Sequence, residues 1–225
     1  MSDGKDSDKV AELLNLARQH LAARDAGQAE AAILQVFDQV PYHPQAVGLY
    51  GTLAAMTGDL EAAHERLAFA AAQLPDDAQV QFNHANVLAM RGDLPGAETA
   101  WRTAIRSNPQ HFEAMGNLAD MLLGQGRPAE AIAILEPAIA TRPDLAPLHS
   151  ALAFARFRLG DAEGAYAALQ EANRQAPDDL SVLLGLGDVA LHLADRDTAR
   201  NWYLAARDVA PSDDRVQTAL ARLAG

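Results

Sequence analysis

The sequence predicts an all-α fold made of antiparallel helix pairs repeated along the chain. Three observations carry this reading. Prolines recur every 34 residues, at Pro41, Pro75, Pro109, Pro143, Pro177 and Pro211, and a fixed period of this size is the mark of a repeat array. Small residues stand at constant offsets from those prolines. Between them, apolar residues are spaced by three and four, the period of a helix and not of a strand.

The offsets define what each helix does. Twelve residues before each proline stand Ala29, Ala63, Ala97, Ala131, Ala165 and Ala199, without exception. Five before stand Val36, Ala70, Ala104, Ala138, Ala172 and Ala206, and twenty-four before stand Ala17, Gly51, Ala85, Ala119, Ala153 and Gly187. Small residues at these places let helix backbones approach closely, and large ones fill the space opposite. The large residues are Ile33, Leu67, Trp101, Leu135, Leu169 and Tyr203, eight before each proline. Twenty-five before stand Leu16, Tyr50, His84, Leu118, Leu152 and Leu186.

In chain order, residues 1–9 are polar and are expected to be a disordered tail. Six units follow at 10–43, 44–77, 78–111, 112–145, 146–179 and 180–213, and each reads as two helices. The turn within a unit falls at Arg24-Asp25, Gly58-Asp59, Gly92-Asp93, Gly126-Arg127, Gly160-Asp161 and Ala194-Asp195. Glycine suits a left-handed helix end, and aspartate caps the helix that follows. The proline stops the second helix, and Asp76-Asp77, Asp178-Asp179 and Ser212-Asp213 offer caps to the next unit. Residues 214–225 read as a capping helix, with Leu220 and Ala221 in the large and small columns and Arg215, Gln217 and Arg222 facing water.

This order of large residue, small residue, alanine, leucine or aromatic, alanine and proline resembles the tetratricopeptide repeat family, from Val10 to Asp213. The resemblance implies a right-handed α-solenoid in which the first helix of each pair lines a concave groove that holds a peptide. His84 and His149 stand in columns where the family has large apolar residues, and are expected to be core histidines with a hydrogen-bond partner.

Composition narrows the function classes. The chain of 225 residues carries a net charge of −12 and only two lysines, Lys5 and Lys9. An acidic chain is a poor partner for nucleic acid or anionic membrane. Cysteine is absent, which excludes disulfide and thiolate chemistry and is compatible with a cytoplasmic location. No segment approaches the ~20 apolar residues of a membrane span, and the first residues show no apolar signal region. The charge is uneven. Residues 78–111 sum to +1 and residues 44–77 to −4, with Arg66 the one cation of the latter.

No catalytic constellation is visible. The seven histidines include no two within four residues, so no helical metal pair forms. Gly124-Gln125-Gly126 and Gly185-Leu186-Gly187 lack the third glycine and the preceding strand of a phosphate loop. The sequence implies neither an enzyme, nor a cofactor, nor a metal.

A ligand is therefore expected on the first helices. Twenty-six residues before the prolines stand Asn15, Leu49, Asn83, Asn117, Ala151 and Gly185. Twenty-three before stand Arg18, Thr52, Asn86, Asp120, Phe154 and Asp188. Asn83, Asn86 and Asn117 are expected to pair with a peptide backbone, since an amide both donates and accepts. Phe82, Met90, Phe154 and Phe157 would form side-chain pockets, Arg158 would meet a carboxylate, and Asp120 and Asp188 would repel one. The family's chaperone carboxylate clamp needs three cations where Phe82, Pro147 and Ala151 stand, so the expected partner is another protein or peptide. The alternatives are a self-assembling, homo-oligomeric scaffold and the recognition module of a larger enzyme, such as a glycosyltransferase or sulfotransferase.

Overall fold

The first helix of the second pair starts at Pro44, and the equivalent helices start at residues 78, 112, 146, 180 and 214, each 34 further on. The computed structural model describes the backbone of residues 3–224 and the side chains of residues 7–223. Among the described residues there are thirteen helices and no strand. They are α1 Asp3–Ala22, α2 Ala26–Gln39, α3 Pro44–Met56, α4 Leu60–Gln73, α5 Ala78–Met90, α6 Leu94–Ser107, α7 Phe112–Gly124, α8 Pro128–Thr141, α9 Ala146–Arg158, α10 Ala162–Gln175, α11 Leu180–His192, α12 Arg196–Val209 and α13 Asp214–Ala224.

Local chemistry explains the element ends. Asp25, Asp59, Asp93, Asp161 and Asp195 each accept a backbone N–H from the first turn of the second helix of a pair, satisfying donors that a helix start leaves free. Arg127 replaces the aspartate before α8 and pairs with Glu130 instead. Asp77 and Asp179 cap α5 and α11, each accepting two backbone N–H groups. The residue before each of Asp25, Asp59, Asp93, Arg127, Asp161 and Asp195 has a positive φ. Gly58, Gly92, Gly126 and Gly160 meet this requirement without strain, whereas Arg24 (φ 57°) and Ala194 (φ 64°) adopt it despite their side chains.

The chain forms two compact units, residues 1–114 and 115–225. In the first, α1 packs on α2, α3 on α4 and α5 on α6, and first helices also touch, α1 with α3 and α3 with α5. In the second, α9 packs on α10, α11 on α12, and α13 closes on α11 and α12. The alanines twelve residues before each proline are all fully buried, as are Ile33, Leu67, Leu135 and Tyr203 opposite them.

Four expectations need correction. The chain is helical from Asp3, not disordered to residue 9; Met1 and Ser2 lie outside the described residues. Val10, Leu13, Leu14 and Ala17 anchor α1 in the core, and extending an anchored helix backwards is far easier than starting one. The column twenty-five before the proline is buried at Leu118, Leu152 and Leu186. Leu16, by contrast, is 41% exposed, and Tyr50 and His84 are half-buried. His84 also lacks the expected partner: its Nε2 is buried and makes no hydrogen bond. It stacks on His64, ring centroids 5.6 Å apart. Burial and the neighbouring His64 hold the His84 ring below the ordinary histidine value, while Asp93 pulls it upward. His149, buried as expected, does have a partner, with Nε2 2.9 Å from the Pro143 carbonyl. In α13 the buried residues are Val216, Ala219 and Leu223, not the expected Ala221, which is exposed. In the other units that column is covered by the second helix of the same pair.

Candidate functional site

The residues of the first-helix face fall into three groups. Asn83, Asn86, Phe82 and Met90 stand on α5 in the first unit. Asn117 and Asp120 stand on α7, and Phe154 and Arg158 on α9, in the second unit.

On α5 the amides serve the protein itself. Asn83 Nδ2 donates to Thr52 Oγ1 on α3 at 3.0 Å, and its Oδ1 accepts from Gln79 at 2.9 Å. Asn86 Oδ1 accepts from the Trp101 indole N–H at 3.0 Å. Trp101 is 4% exposed, so this bond satisfies a buried donor. Phe82 lies half-buried against His111, centroids 4.6 Å apart. Met90 is 60% exposed. Asn117 is half-buried and also engaged within the protein. Desolvation raises the Asp120 carboxyl above the ordinary carboxylate value.

One relation between columns escaped the sequence reading. Trp101 stands eight before its proline and Asn86 twenty-three before it. Tyr203 and Asp188 occupy the same two columns, and the Tyr203 hydroxyl donates to Asp188 Oδ1 at 2.7 Å. Where the core residue has a polar tip, the first helix supplies an acceptor for it. The signal was present in the two columns, but only when they are compared with each other.

In the second unit this bond helps to build a groove. Gly187 lies so close to Tyr203 that a Cβ there would stand 2.2 Å from Cε1. Glycine thus lets Tyr203 be fully buried directly behind α11, with its hydroxyl reaching Asp188. Burial, then the bond to Asp188, pushes the Tyr203 hydroxyl well above the ordinary tyrosine value, so it stays a donor. In front of α11 lies a hollow of about 430 Å³, lined by Phe154 and Phe157 of α9, Leu169 of α10, and Val182, Gly185 and Asp188 of α11 among others. Phe157 meets His192 edge-on at 5.0 Å. Phe154 remains 49% exposed, with the Arg158 guanidinium 5.7 Å from its ring. A second hollow of about 380 Å³, between α11 and α13, shares Asp188 and adds Asp214, Arg215, Thr218 and Arg222. Arg215 is paired with Asp213, and Arg222 stands 3.9 Å from Asp188. The two hollows meet at Asp188, the one across α9 and α11 mostly apolar and the one between α11 and α13 lined by charged residues. Such a surface suits an extended segment with an apolar anchor.

Among the described residues, no group of three or more His, Cys, Asp or Glu could hold a metal ion. No helix is long and apolar enough to cross a membrane.

Two family profiles described as tetratricopeptide repeat match the sequence, one over residues 57–101 and 82–146 and the other over 156–223. No curated protein matches it. Among solved structures it is similar to the pilF protein of Pseudomonas aeruginosa, at 17% identity and a TM-score of 0.85, covering 97% of this chain and 99% of that one. It is also similar to PilW, described as a widely conserved type IV pilus biogenesis factor, at 20% identity and a TM-score of 0.80, covering 94% and 98%. YrrB, described as a TPR protein with an unusual peptide-binding site, matches at 15% identity and a TM-score of 0.70, covering 84% and 97%. At these identities the likeness is one of fold.

Proposed function

Because the chain belongs to the tetratricopeptide repeat family, we propose that it is a non-enzymatic interaction scaffold that holds a peptide segment of a partner protein along α9, α11 and α13. One observation carries the reading: the exposed Phe154 ring and the Asp188 carboxylate, the latter held by the buried Tyr203, face the same groove. The aromatic end would take a large apolar side chain. Asp188 would accept from peptide N–H groups or a basic side chain, a charge-assisted bond that contributes roughly 1.5–3 kcal/mol. Asn83 and Asn86 recede as ligand contacts, since their mapped bonds run to Thr52, Gln79 and Trp101.

The test is photo-crosslinking in the native cell. A benzophenone amino acid would replace Phe154 in one variant and Arg102, on α6, in another. The proposal expects a discrete adduct from position 154 that disappears when Asp188→Asn is added, and none from position 102. Adducts from 102 alone would place the ligand on the second helices and refute the groove.

A further inference from the structure

A second site stands in the first unit, at the junction of α2, α3 and α4. A cavity of about 440 Å³ is lined by Phe37, Pro41, Tyr42, Val47, Tyr50 and Arg66. Five of the six are apolar or aromatic. The sixth is a cation, with Arg66 Cζ 4.2 Å from the centroid of the Tyr50 ring.

The repeat supplies its own control for this place. The residue after each proline is Asp76, Gln110, Asp144, Asp178 or Ser212 in the other units, but Tyr42 here. Tyr42 is 79% exposed, and its φ of 59° is the one positive value outside the left-handed turn column among the described residues. An exposed tyrosine in a strained backbone is a poor choice for stability alone. Part of the cause is local: Pro44 keeps His43 extended, at φ −52° and ψ 120°, as it must for the residue before a proline. The column of Arg66 reads Ala32, Ala100, Ile134, Ala168 and Trp202 elsewhere, with no charge. The first-helix column that is leucine in four units is Tyr50 here, and its hydroxyl donates to Glu30 at 3.1 Å. Three departures from the repeat thus meet in one cavity.

Arg66 makes no ion pair and no side-chain hydrogen bond among the described residues, and its contact is the Tyr50 ring. Stacking fixes the guanidinium plane and leaves its donors available in a fork that matches a carboxylate. We infer that this cavity is a docking site for a partner peptide in which an acidic side chain lies beside a large apolar one: Arg66 takes the carboxylate, and Phe37, Pro41, Tyr42 and Val47 enclose the apolar group. The chain's net charge of −12 does not oppose this at contact range. Charges beyond about 8 Å are largely screened at physiological salt, and the Glu30 carboxylate bonded to the cluster is engaged at the hydroxyl end of Tyr50.

The experiment pans a displayed library of random twelve-residue peptides against the full chain carrying Phe154→Ala and Asp188→Asn, which disables the other groove. The proposal expects enriched peptides with Asp or Glu next to Leu, Phe or Trp. Their affinity should fall roughly tenfold to a hundredfold in Arg66→Gln, the loss of one charge-assisted pair. Panning on Arg66→Glu should replace the enriched acids with Lys or Arg, an exchange that a merely structural arginine would not produce. Unchanged melting temperatures would show that both variants fold. If one does not, Tyr42→Gly, which relieves the backbone, serves in its place and should weaken the same peptides. Absence of an acidic enrichment, or binding indifferent to both Arg66→Gln and Tyr42→Gly, would overturn the inference.

Discussion

At the scale of single residues, polar tips inside the array decide more than their burial suggests. Asn86 completes the Trp101 indole. Asn86→Ala is therefore expected to leave a buried donor unpaired and to destabilise the protein by roughly 1–3 kcal/mol, measured by urea denaturation. An unchanged midpoint would return Asn86 to the ligand face. His84 makes the opposite case. Its pKa is lowered by burial, so its contribution to stability is present above the unfolded histidine value near 6.5 and is lost as pH falls through the folded value. Acidification from pH 7.5 to 5 should lower the melting temperature. His84→Leu, which restores the residue that four other units carry, should raise it and reduce the pH slope. Some slope should persist, because burial and Arg18 also lower His43. Both residues were legible in the sequence as departures from columns. Their partners were not, because an offset shows which helix a residue faces without showing which atom meets it.

At the scale of elements, the sequence reading located the turns and caps because each rests on chemistry within a few residues. It erred where long-range packing decides, in the start of α1 and in the exposed Leu16. One element departs from helix chemistry. Pro137 lies inside α8, where it can donate no hydrogen bond to the carbonyl four residues earlier. An interior proline costs about 3 kcal/mol relative to alanine. Pro137→Ala is accordingly expected to raise the melting temperature, with a gain of roughly 1–3 kcal/mol by denaturant titration, since the surrounding fold already accommodates part of the strain. A loss of stability would mean that the proline ring fills space that alanine leaves empty.

Across the whole molecule, stability is close to a sum of helix pairs and their nearest-neighbour contacts, because the packed helices are neighbours in sequence within each unit. Damage should therefore stay local. Gly187→Ala would force a Cβ against Tyr203, with an expected overpacking cost of roughly 1–3 kcal/mol. Hydrogen exchange should quicken in α11, α12 and α13 and remain unchanged in α1 to α4. Uniform acceleration along the chain would instead show all-or-none cooperativity. The fold was legible because the 34-residue register repeats one packing solution six times, so each unit checks the others. The candidate grooves were only half legible. Phe154 was found as an outward-facing aromatic, but the Tyr42 and Arg66 cavity required distant columns to be compared around a corner of the fold.

The two tryptophans add a practical consequence. Trp101 lies in the first unit, bonded to Asn86, and Trp202 in the second, bonded through its indole N–H to Tyr166 at 2.8 Å. Each half of the chain thus carries one tryptophan in a distinct setting, Trp101 buried and Trp202 half-buried. With Trp101→Phe or Trp202→Phe, and excitation beyond the tyrosine absorption band, emission comes from a single known place. The melting of either half, or a ligand's arrival at one of the two proposed sites, can then be followed by light without attaching a label.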